Sequence, residues 1–95
     1  MPKNALDNDD VEVLMKTIIS IQDFDLAQKF FRDLLTDKEF HELAIRWKIA
    51  WLLSKKVPYA MIISETGVSS TTIARISKCL KNPSGGYNQL VDLIN

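Results

Sequence analysis

The sequence is poor in residues that staple a chain or hold a metal. It contains one cysteine, Cys79, and one histidine, His41. A single thiol excludes an internal disulfide framework and a cysteine-based zinc site. His41 has no second histidine or nucleophile at a useful spacing, so it reads as a surface residue, and Cys79 reads as a small apolar packing residue. No apolar run approaches the ~18 residues of a transmembrane helix. The polar, acidic stretch Met1–Asp10 lacks the apolar core of a signal peptide. Gly85 and Gly86 lack the strand and lysine of a phosphate loop. There is no internal repeat, no low-complexity tract and no catalytic constellation. The chain is therefore expected to be a cytoplasmic, non-enzymatic protein that takes no cofactor or metal and does not enter a membrane.

What is present is an ordinary folding composition, 46% hydrophobic and 25% charged over 95 residues. That is one domain, small enough for dimerisation to add useful stability. Twelve basic and twelve acidic residues leave no net charge. Their distribution is uneven: residues 1–45 sum to −5 and residues 46–95 to +5. A basic half is the electrostatic footprint that attracts phosphates.

Helical periodicity runs through the chain. Val11, Leu14, Met15, Ile18 and Ile19 predict a helix over 9–21, with Asp9, Asp10 and Glu12 in its first turn. Ala27, Phe30, Phe31 and Leu34 predict a second over 24–35, capped by Asp23. Thr36 and Glu39 form a Thr-x-x-Glu capping box that opens a third helix over 37–55. Phe40, Leu43, Ala44, Trp47 and Trp51 make one face of it, and Ile45, Ile49, Leu52 and Leu53 spread over the others. A helix that is apolar nearly all round must be covered nearly all round. The expected cover is the helix's own domain plus a second copy of the chain, with both tryptophans in the core. Lys55 and Lys56 read equally as a phosphate clamp or a solvated helix end. Asn82-Pro83-Ser84-Gly85-Gly86 breaks the chain before a short last helix carrying Leu90, Val91 and Ile94.

The segment YAMIISETGVSSTTIARISKCL, residues 59–80, carries the chemistry. A short helix begins after Pro58 and ends at Thr66-Gly67, and another runs over 70–81 from a cap at Ser69 or Ser70. Ala60, Ile63, Val68, Ile73 and Ile76 are small or apolar where two such helices pack. This is the layout of a helix-turn-helix, whose second helix enters the major groove of double-stranded DNA. Ser69, Ser70, Thr71 and Thr72 stand where side chains meet bases and phosphates, and Arg75 and Lys78 follow one and two turns on. The other reading is a protein-docking module. The apolar Met61-Ile62-Ile63 run and the near-neutral charge favour it.

Residues 36–81 resemble the Trp repressor superfamily, and most closely its compact bacterial branch of YerC/YecD-type proteins. The matching features are Leu34-Leu35-Thr36 with Glu39, RWKIAWLL over 46–53, ETGVSSTTIARI over 65–76, and KCL over 78–80. The resemblance implies an all-α, six-helix, intertwined homodimer. Residues 1–55 would supply the dimerisation helices, 58–81 the helix-turn-helix and 84–95 a C-terminal helix. It also implies a sequence-specific transcriptional regulator, a repressor by analogy. Thr36, Arg46 and Arg75 match residues that frame the family's tryptophan pocket, with a one-residue shift in the third or fourth helix. Ile76 stands where that pocket has glycine, and Cys79 where it has a ligand-holding serine. The resemblance therefore implies an effector pocket that does not accept tryptophan. Ala60 and Ile63 stand near positions that are basic in the family.

Overall fold

The structure is a computed structural model that describes residues 9–93. The described residues form six helices and no strand: α1 (Asp9–Ser20), α2 (Phe24–Leu34), α3 (Asp37–Ser54), α4 (Tyr59–Thr66), α5 (Ser70–Leu80) and α6 (Gly86–Leu90). The all-α, six-helix expectation holds. They group into two compact units, one up to Phe40 and one from His41 onward.

In the N-terminal unit, local chemistry sets the helix ends. Asp9, Asp10 and Glu12 occupy the first turn of α1, and Lys16 pairs with Glu12 at 2.8 Å. The Asp23 carboxylate accepts the Leu26 N–H at 2.7 Å and starts α2, satisfying an N–H that has no partner within the helix. Leu35 turns extended and closes α2 through its N–H to Phe31 O at 2.9 Å. The capping box that opens α3 is reciprocal. The Thr36 N–H donates to Glu39 Oε1 at 2.9 Å, and the Glu39 N–H donates to Thr36 Oγ1 at 3.1 Å. Phe31 stacks on Phe40 with centroids 6.1 Å apart, tying the first turn of α3 to α2.

Among its described residues this unit has little interior. No residue of α1 or α2 is buried, and Ile19 and Phe24 are 78% and 79% exposed. Val13, Met15, Leu26 and Leu34 are exposed as well.

The C-terminal unit has a true core. Ile49 and Ala50 of α3, Ile62 of α4, Ile73 and Ile76 of α5, and Val91 after α6 are buried together. Trp47, Leu52, Leu53, Val57, Val68, Leu80 and Tyr87 pack around them. α3 closes at Lys56, which adopts a left-handed φ of 66°. The Lys56 N–H reaches Leu53 O at 3.0 Å and the Val57 N–H reaches Leu52 O at 3.2 Å. These two bonds are a Schellman closure with lysine in the place glycine usually takes. The Lys55-Lys56 pair thus stands, exposed, at a closed helix end.

Two expectations need correction. Ala60 and Ile63 do not form the inner face of α4; Ala60 is exposed, Ile63 is 37% exposed, and Ile62 is the buried residue. The phase of α4 points Ile62 inward, with half-buried Thr66 one turn later. Cys79 is exposed rather than packed. The inner face of α5 is already taken by Ile73, Ile76, Ser77 and Leu80, which leaves Cys79 on its flank. Of the apolar residues expected in the last helix, Val91 joins the core, Leu90 is half exposed, and Ile94 lies outside the described residues.

Candidate nucleic-acid interface

α4 and α5 are joined by a turn that only a few residues could make. Gly67 has φ 72°, and its N–H caps α4 by donating to Ile63 O at 2.8 Å. The Thr66 hydroxyl donates to Ile62 O at 2.7 Å and accepts the Val68 N–H at 3.2 Å. One side chain thus serves both sides of the turn. Val68 is half-buried against the core and anchors the turn from below.

Ser69 starts α5, which settles the choice between Ser69 and Ser70 as the cap. Its Oγ accepts the Thr72 N–H at 3.3 Å and donates to Thr72 Oγ1 at 3.2 Å. Ile73, Ile76 and Ser77 face inward, and Ser70, Thr71, Ala74, Arg75 and Lys78 are exposed. The far end of α5 is tied by α6: Asn88 Nδ2 donates to Leu80 O at 2.9 Å, satisfying a carbonyl at the helix end. Gly85 lets α6 approach, because a Cβ there would meet Asn82 O at 3.2 Å and Cys79 O at 3.3 Å.

A cleft of about 320 Å³ lies between α3 and α5, lined by Arg46, Thr72, Arg75, Ile76, Cys79 and Tyr87. No acidic residue lines it, and among the described residues neither arginine forms an ion pair. Arg46 and Arg75, expected to share an effector pocket, therefore do share a cleft. Thr36 belongs to the N-terminal unit, where its hydroxyl and N–H are committed to the capping box. Ile76 is 5% exposed and joins this wall of the cleft to the core. A second cleft of about 350 Å³ runs along α3 past the turn, lined in part by His41, Arg46, Thr66, Ser69 and Thr72. His41 is exposed, as expected.

Two residues of this surface were assigned no role at a site from the sequence. Tyr87 reaches the Arg46–Arg75 cleft from α6, with its ring 6.1 Å from that of Trp47. Ala74 is exposed in the middle of α5. Neither residue type carries a signal of its own. Among the described residues no cluster of histidine, cysteine or carboxylate could hold a metal ion, and no helix is long and apolar enough to cross a membrane.

The architecture is that of an all-helical protein with a helix-turn-helix near its C-terminal end, and comparison with known proteins identifies the family. Residues 9–94 match the family model described as Trp repressor protein. The chain is 32% identical to the uncharacterized protein YerC of Bacillus subtilis (strain 168) over 94 residues, covering 99% of this chain and 90% of YerC. The crystal structure of a TrpR-like protein from Eubacterium eligens ATCC 27750 superposes with a TM-score of 0.86 at 33% identity, over 97% of this chain and 95% of that one. The chain belongs to the Trp repressor family and is a YerC-type member of it.

Proposed function

We propose that this protein is a sequence-specific DNA-binding transcriptional regulator, a repressor by family analogy, that works as a homodimer. α5 enters the major groove of a double-stranded site. One observation carries this reading. α5 is held by its inner face in the core while Ser70, Thr71, Arg75 and Lys78 project from it with no partner in the described protein. Hydroxyl and cationic side chains on a rigid helix are what phosphates and base edges need. Ser69 and Thr72 belong to the same interface through the helix start, where free N–H groups favour a phosphate.

The second copy is argued from the N-terminal unit. Helices with no buried residue and exposed Ile19, Phe24 and Leu26 gain stability only when another surface covers them. Residues 1–55 are accordingly read as the dimerisation part, 58–81 as the reading head and 84–95 as its C-terminal brace. The Arg46–Arg75 cleft is read as a site closed to tryptophan by Ile76.

A docking module is the second reading, and α4 favours it. Its exposed residues include Tyr59, Met61 and Ile63 and no cation. Selection from a pool of random duplexes at low salt, followed by titration across salt concentrations, separates the two. A regulator enriches a palindromic site and loses affinity steeply with salt, in proportion to the phosphates neutralised. Failure to enrich any duplex overturns the regulator reading. A stable monomer in light scattering overturns the account of the N-terminal helices.

A further inference from the structure

The exposed surface of α5 is divided. Ser69 is engaged in the cap, and Thr72 Oγ1 accepts a hydrogen bond from its hydroxyl. Thr72 and Arg75 both line the cleft walled by Arg46, so they lie on the flank of α5 nearest α3. Ser70, Thr71, Ala74 and Lys78 remain. Residues 70, 74 and 78 are four apart, and Thr71 stands three before Ala74, so the four form one stripe along the helix. No hydrogen bond or ion pair engages the side chains of Ser70, Thr71 or Lys78 among the described residues.

Ala74 sits at the centre of this stripe and is exposed. It has no part in the core, which is built by its neighbours Ile73, Ile76 and Ser77. Its single methyl can neither donate nor accept a hydrogen bond. Of the features a base pair shows in the major groove, the one that a bare methyl recognises is the 5-methyl of thymine. A short side chain at mid-helix also lets the backbone come close to the groove floor, while Lys78 can reach outward to a phosphate.

Resting on the regulator reading above, we propose that Ala74 determines specificity by seating its methyl against the 5-methyl group of one thymine in each half-site. Ser70 and Thr71 address the neighbouring bases or phosphates from the same stripe.

The test uses the full chain and the duplex enriched by random selection. Each thymine of that duplex is replaced in turn by deoxyuridine, which keeps every hydrogen-bonding group and removes only the methyl. One symmetry-related pair of thymines is expected to be sensitive, with affinity falling about fourfold per methyl, the value of one buried methyl group. Ala74→Gly is expected to bind the thymine and deoxyuridine duplexes alike. Ala74→Ser, checked for helix content by circular dichroism, keeps a Cβ and is expected to lose the preference for thymine at that position on reselection. Absence of any methyl-sensitive thymine, or a sensitivity that survives in the folded Ala74 variants, overturns the proposal. An enriched duplex with either result leaves the regulator reading standing; no enriched duplex overturns both.

Discussion

Ser69 and Thr72 are joined by two hydrogen bonds, one from the Thr72 N–H to Ser69 Oγ and one from the Ser69 hydroxyl to Thr72 Oγ1. The first of these caps the helix that the proposal places in DNA. Ser69→Ala should therefore lower stability by about 1 kcal/mol in urea denaturation, as loss of an N-cap does. Ser69→Asp should restore the cap and still weaken duplex binding, because a carboxylate at that helix end repels phosphate. An aspartate variant that binds as well as the parent would remove Ser69 from the interface.

Lys56 offers a separation of backbone from charge. Its left-handed φ of 66° costs a side-chain-bearing residue roughly 1 kcal/mol, which glycine avoids. Lys56→Gly is expected to raise stability by up to about 1 kcal/mol and to leave duplex affinity unchanged. A fall in affinity with a flatter salt dependence would instead make Lys56 a phosphate contact.

The phase of α4 can be checked by a pair of substitutions. Ile62 is fully buried and Ile63 is 37% exposed. Ile62→Ala should cost about 2–5 kcal/mol in chemical denaturation, the range for truncating a packed isoleucine. Ile63→Ala should cost much less. Equal losses would contradict the orientation of the helix.

Arg75 and Lys78 should contribute to binding through charge. Replacing either by alanine is expected to weaken duplex binding and to reduce the slope of log affinity against log salt by about 1, the signature of one lost phosphate contact. If Arg75→Ala instead relaxed preference at one base pair, the residue would be reading guanine.

Tryptophan should have no effect. Ile76 is 5% exposed and walls the Arg46–Arg75 cleft. Calorimetric titration with L-tryptophan is expected to show no saturable heat, and duplex affinity should not change when the amino acid is added. A rise in affinity with tryptophan would overturn this.

Much of the fold was legible in the sequence because its signals are local. Helical periodicity, the Asp23 cap, the Thr36–Glu39 box and the Gly67 turn all act within a few residues, and each appears where the chain alone places it. The family was legible too, through runs such as ETGVSSTTIARI. The exposed hydroxyl and basic residues of α5 could be named from spacing alone.

What the sequence alone determined was thus the order of the helices, several of their ends and the residue types offered on α5. Only the tertiary structure decided which faces turn inward. Several apolar residues in α4 compete for one inner position, and packing against α3 and α5 chose Ile62 over Ala60 and Ile63. The same competition put Cys79 outside, since Ile73, Ile76 and Leu80 had filled the inner face of α5. It brought Arg46, Arg75 and Tyr87 to one cleft from three separate helices. Such choices depend on contacts between residues distant in the chain, and periodicity within one helix carries no record of them.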